Sequence, residues 1–149
     1  MQQLMRECIQ VTYDYIQKVN ERWGLYLPKM KVVFALKSGT AGKAHLNRGV
    51  IQFNPTLLRE NPEAFLKRTP GHEVVHFAAY MKYQDTGHGP NWKRMMRELD
   101  LEDTRCHSYD TSNVPMNVGK VANRRQNTVI VSEIGSVKTV AVGKIIEFD

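Results

Sequence analysis

The chain has 149 residues, 42% of them hydrophobic and 24% charged, with a formal net charge of +6. That length suits one domain with a real apolar core, and the composition excludes a disordered chain. No apolar run approaches the roughly 18 to 20 residues that span a bilayer, and Arg6 and Glu7 interrupt the N-terminal segment, so neither membrane insertion nor export is expected.

Cys8 and Cys106 are the two cysteines, too few for a disulfide framework or a four-thiolate zinc site. A cytoplasmic setting is expected, with nucleoid association an option. The positive charge is uneven: Arg22 to Arg59 contains seven Lys or Arg and no Asp or Glu. A surface built from Lys29, Lys31, Lys37 and Lys43 would attract a polyanion, DNA foremost, and Arg124 and Arg125 form a further basic pair. Solvated lysines balanced by acids elsewhere on the surface would give the same sequence pattern.

The first element is a helix. Leu4, Met5, Cys8, Ile9, Tyr15, Ile16, Val19 and Trp23 recur at three- and four-residue intervals, and Gly24 marks its end. Pro28 breaks the chain, and Lys29 to Lys37 then reads as a strand rich in valine and aromatic residues. Lys43 to Asn54 has the composition of a hairpin turning at Asn47-Arg48-Gly49. Asn54-Pro55, Asn61-Pro62 and Thr69-Pro70 each have the order of an N-cap followed by proline, so each can start a helix. His72 to Tyr83 and Asn91 to Leu99 are the next helical runs, separated by a loop at Gly87-His88-Gly89-Pro90. The tail from Asn127 to Asp149 alternates in the manner of strands around a turn at Gly135.

Chemistry concentrates in His72-Glu73-Val74-Val75-His76. On a helix the i and i+4 imidazoles project from one face, one turn apart, and can ligate the same metal ion. Glu73 falls beside them, placed to take a proton from metal-bound water, as amide hydrolysis at a zinc centre requires. A catalytic zinc needs a third protein ligand. His88, flanked by glycines in the loop beyond this helix, is favoured, with His45, His107, Asp85 and Glu98 as the alternatives. Cys8 and Cys106 read as buried small hydrophobes, Trp92, Met95 and Met96 as core, and His45 as a surface residue near a substrate groove. His107 reads as structural, and Tyr80 or Tyr83 are options for stabilising an oxyanion.

Ala41-Gly42-Lys43-Ala44, Ile51-Gln52-Phe53-Asn54-Pro55, His72-Glu73-Val74-Val75-His76 and His88-Gly89-Pro90-Asn91-Trp92 occur in the order and spacing of SprT-like metalloproteases. Over Trp23 to Asp110 the chain resembles that family. The resemblance implies one zinc ion held by His72, His76 and His88, with Glu73 as general base. It also implies cleavage of proteins bound or crosslinked to DNA. Bacterial members commonly continue into a zinc ribbon with paired cysteines; Arg124 to Thr128 resembles its entry, but the cysteines are missing.

The expected fold is α+β: a zincin-like core over residues 1–110, with an N-terminal helix, a small mostly antiparallel sheet and an active-site helix pair. Residues 111–149 form a β-rich, metal-free extension in this reading. The expected activity is that of a zinc endopeptidase acting on a protein substrate. The rival reading is a DNA-binding or assembly module of the same shape, without proteolysis and with structural zinc. Glu73 argues against the rival, because a structural site has no need of a base.

Overall fold

The computed structural model describes residues 1–112, 114, 128–133 and 136–141. Helix α1 (Gln2–Trp23) ends at Gly24, whose φ of 64° is a left-handed C-cap that glycine adopts without a steric penalty. Its buried stripe is Met5, Cys8, Ile9, Thr12, Ile16 and Val19. Thr12 is absent from the apolar spacing because threonine reads as polar. Its hydroxyl is satisfied locally, donating to the Cys8 carbonyl at 2.7 Å, and this allows full burial.

Strand β1 (Lys31–Val33) is shorter than the expected Lys29 to Lys37. The chain leaves the ladder after Val33, and Ser38 takes a left-handed φ of 62° in the loop that follows. The hairpin then forms as β2 (Gly42–His45) and β3 (Val50–Phe53), with Gly49 at φ 69° in its turn. Val50, Ile51 and Phe53 are buried, whereas Lys43 in β2 is exposed. That contrast decides the order: the apolar strand goes inside, parallel to β1, and the amphipathic one takes the edge. Two more strands, β4 (Thr128–Glu133) and β5 (Ser136–Ala141), complete the order β2-β3-β1-β4-β5. The β1–β3 pairing is parallel and the other pairings are antiparallel.

Asn54 caps helix α2 (Pro55–Glu60), accepting from the Thr56 and Leu57 amides, and Pro55 and Pro62 open α2 and α3 as expected. Thr69-Pro70 does not start a helix, contrary to the sequence expectation. Helix α3 (Pro62–Tyr83) runs continuously through it, with Pro70 in its interior. An interior proline lacks the donor for one helical bond and costs about 3 kcal/mol. Burial of every residue from Thr69 to Ala79 supplies the offset, and Gly71 lets α1 and the Leu101 loop approach. A Cβ there would lie 2.6 Å from Leu101 Cδ1 and 3.2 Å from Tyr15 Cζ.

Helix α4 (Pro90–Glu98) buries Trp92, Met95 and Met96 against this central helix. An aromatic series joins sheet to helix: Phe34 to Phe53 at 5.8 Å, Phe53 to Phe65 at 5.8 Å, and Phe65 to Tyr109 at 5.7 Å between centroids. Such pairs each add about 0.5 to 1.5 kcal/mol beyond area burial. They fix α3 above the sheet, with its histidine face towards β2.

Candidate metal centre

His72 and His76 lie one turn apart on α3, both buried. The loop after α3 returns His88 to them. Gln84 closes the helix in a left-handed conformation (φ 54°), and Pro90 starts α4 immediately after the loop. His88 Nε2 is 3.1 Å from His72 Nε2 and 3.0 Å from His76 Nε2. All three donor atoms lie within 4.8 Å of one another, and among the described residues this is the one group of three with ligand geometry.

The donor chemistry fits a metal ion. A neutral imidazole carries one N–H, so a proton cannot satisfy three nitrogens that face one point, whereas one cation can accept a lone pair from each. Burial, reinforced by the neighbouring charges of His76, Arg68 and His88, holds His72 far below its usual pKa. Burial and then His88 lower His76 to about 4, with Asp85 opposing. His88 is lowered too, first by burial and then by Arg105, Arg68 and Lys93. The cluster therefore presents neutral rings at neutral pH, the ligating form. An ion held by three nitrogens alone would keep a coordination position for a further ligand.

Glu73 is the adjacent carboxylate, 4% exposed, with Oε2 3.9 Å from His72 Nε2. Burial pushes its carboxyl up to about 8, while Arg68 pulls in the opposite direction. Gly42 of β2 lies directly on it: a Cβ at that position would be 2.8 Å from Glu73 Oε2 and 2.9 Å from Thr69 Cγ2. The edge strand approaches the carboxylate this closely only because position 42 has no side chain.

These groups line a cleft of about 840 Å3. One wall is the Leu36 to Ala41 loop with β2; the other is α3, His88 and the segment Arg105 to His107. Arg68, one turn before His72, shapes that second wall. Its Nη2 donates to the carbonyls of Thr104 (2.7 Å) and Cys106 (3.0 Å).

The family model described as the SprT-like family matches residues 7–113. The chain is 35% identical to Protein SprT of Pseudomonas putida strain GB-1 over 113 residues, covering 74% of this chain and 67% of the relative. It is also 35% identical to Protein SprT of Pseudomonas fluorescens strain Pf-5 over 109 residues (71% and 62%), and 36% identical to that of Pseudomonas paraeruginosa strain PA7 over 105 residues (68% and 59%).

The chain belongs to the SprT-like family.

No solved structure matches it. In this SprT-like chain the other sequence candidates lie apart from the three nitrogens. His45 is bonded across the hairpin to Gln52 (3.0 Å) and does not itself line the cleft, although its neighbours Ala44 and Leu46 do. In an edge strand the neighbouring strand offers it a partner, and the ring turns there. Glu98 pairs with Arg22 at 2.7 Å, and Asp85 accepts from Asn91 in the loop that carries His88. Neither Tyr80 nor Tyr83 lines the cleft; Tyr83 instead receives Arg94 over its ring. Cys8 is buried as expected, but Cys106 is exposed, because its segment runs along the cleft rim rather than into the core.

The basic residues divide. Lys37 and Lys43 line the SprT-like cleft, Lys29 sits 5.2 Å from the Tyr13 ring, Lys31 opens β1, and Arg124 and Arg125 lie outside the described residues. No described helix is long and apolar enough to cross a membrane.

Trp92 does more than its core spacing indicates. Its ring packs against His88 (4.6 Å), His72 (4.7 Å) and His76 (5.6 Å), and its Nε1 donates to the His72 carbonyl. It is the floor of the three-histidine cluster. Arg68 also escaped the sequence reading, as did the second role of Asn54, which the sequence marks only as a helix cap. Arg68 shares the His72 face at i−4, a spacing that could have flagged it, whereas the bonds of Asn54 Nδ2 to the Ser38 and Thr40 carbonyls are non-local and leave no sequence signal.

Proposed function

We propose that this chain is a zinc-dependent endopeptidase of SprT type that cleaves DNA-associated proteins in a cytoplasmic setting. Residues 1–110 are its zincin-like protease domain and residues 111–149 a metal-free β-rich extension. The observation that carries the reading is the convergence of three neutral imidazole nitrogens beside a buried carboxylate in an open cleft.

His72, His76 and His88 are the residues that hold the ion. Zinc there supplies Lewis acidity, polarising a carbonyl and making water a better nucleophile. Glu73 takes the proton of the attacking water and returns it to the leaving amine. Burial raises the proton affinity of this carboxylate, which makes its ionised form a stronger proton acceptor than an exposed one. Gly42 and Ala44 bring the outer edge of β2 to the cleft, where an extended peptide can add as a further strand through main-chain hydrogen bonds. Lys37 and Lys43 at the same cleft give DNA a place beside the reaction centre.

The test compares wild type with Glu73→Gln, each assayed with and without DNA against a DNA-bound protein, with zinc measured by elemental analysis. The expected result is about one zinc per chain in both, and hydrolysis, stimulated by DNA, in the wild type alone. A zinc-loaded wild type that binds DNA but cleaves nothing would instead establish the non-proteolytic reading. Cleavage by Glu73→Gln at the wild-type rate would remove Glu73 as the base.

A further inference from the structure

The two walls of the cleft are joined at one point by a side chain. His107 Nε2 lies 2.6 Å from the Gly39 carbonyl, and its Nδ1 accepts the Tyr109 amide at 3.0 Å. A carbonyl only accepts, so the proton is on Nε2 and the ring is neutral, with both nitrogens engaged. Tyr109 stacks on the ring at 4.5 Å between centroids and 19° between planes. The other end of Tyr109 is anchored on α3, where its hydroxyl meets Thr69 Oγ1 (2.8 Å) and donates to the Ala64 carbonyl (3.2 Å). His107 therefore transmits the position of α3 to Gly39 through a rigid aromatic pair.

What it holds is a strained segment. Ser38 has φ 62°, a left-handed conformation that serine rarely adopts and that persists only where its surroundings enforce it. The enforcement is complete on both sides. Asn54 Nδ2 donates to the Ser38 (2.9 Å) and Thr40 (3.1 Å) carbonyls, and His107 takes the carbonyl between them. Three consecutive carbonyls are thus fixed just before Gly42, the residue that meets Glu73.

We propose that His107 is a positioning residue for substrate: it fixes the Ser38–Ala41 turn, and through it the edge of β2, at the height where an extended peptide can pair next to Glu73. The inference rests on the peptidase reading for its substrate and on geometry alone for the coupling of His107 to β2. The chemical step uses other groups, so the effect falls on peptide binding.

The experiment uses the full-length zinc-loaded protein and the variants His107→Phe and His107→Gln. Phenylalanine keeps the stack on Tyr109 and loses the bond to Gly39; glutamine keeps a donor at the Nε position. Hydrogen exchange is followed by mass spectrometry over peptides covering 36–46 and 66–80, together with KM and kcat on an unstructured polypeptide. In His107→Phe we expect faster exchange in 36–46 only, unchanged zinc content, KM raised about five- to tenfold, as for one lost hydrogen bond, and kcat within about twofold of wild type. His107→Gln restores both exchange and KM most of the way.

Raised KM without faster exchange would mean that His107 touches substrate directly, and would overturn the proposal. So would lost zinc, a fall in kcat at constant KM, or no change in exchange. Should His107→Phe fail to fold, His107→Asn, too short to reach the Gly39 carbonyl, decides in its place: faster exchange over 36–46 supports the coupling, and wild-type exchange there overturns it. An inactive wild type with faster loop exchange in His107→Phe would sink the peptidase reading and leave the coupling standing.

Discussion

The two walls of the cleft are built in opposite ways. The metal-centre wall takes two ligating positions from a single helical turn and its third from the loop that ends the same helix, so its geometry is largely local. The facing wall, from the Ser38–Ala41 turn to β2, has little local reason for its shape. It is held by Asn54 and by His107, whose bond to Gly39 spans 68 positions of sequence. Local construction fixes which nitrogens converge to hold an ion. Non-local construction fixes how closely a peptide edge can approach them, so damage to the two walls should fail differently.

The largest expected effect lies on the first wall. His72→Ala or His88→Ala should reduce zinc occupancy at equilibrium with a competing chelator by at least about 100-fold in affinity, because losing a ligand exceeds the 10- to 100-fold cost of losing its support. Occupancy equal to wild type in both variants would break the comparison at its root. Trp92→Phe sharpens it: with the floor of the cluster narrowed and the Nε1 bond to His72 lost, zinc affinity should fall about tenfold while the ligands remain.

On the second wall, Gly42→Ala should leave zinc content intact and lower kcat/KM by about 10- to 100-fold, since its Cβ would start 2.8 Å from Glu73 Oε2 and force strand and carboxylate apart. An active Gly42→Ala would show that β2 yields easily and has no exact height to keep. Asn54→Ala removes an N-cap and two bonds to the turn, and urea unfolding should show a loss of about 2 to 3 kcal/mol. The smallest effect needs no mutation. A thiol reagent should modify Cys106, exposed on the rim, and spare Cys8, whose thiol burial holds strongly protonated, until the protein unfolds.

Where sequence and structure diverge, the reason is visible residue by residue. Thr69-Pro70 looks like a helix start because a cap-proline pair is a local signal. The helix passes through it because the burial that outweighs the proline comes from α1 and the Leu101 loop. Thr12 was missed because its hydroxyl is satisfied by its own helix, which the residue type does not reveal. Trp92 has core spacing and is in the core, yet the same ring supports three histidines, two from a different helix. Gly42 stood out within a motif, but its physical reason, the Glu73 carboxylate beneath it, is a contact between elements.

The sequence by itself determined the helix with His72, Glu73 and His76 on neighbouring positions, the helix starts at Asn54-Pro55 and Asn61-Pro62, the hairpin turn at Gly49 and the family. These depend on spacing along a backbone of known period and on residue conformational limits. Only the tertiary structure decided that His88 rather than His45 or His107 completes the cluster, and that His107 instead ties the Gly39 turn to the opposite wall. Three imidazoles of equal chemistry are distinguished by which surface the packed core turns them towards. That direction is a property of the whole fold, encoded in no single segment of it.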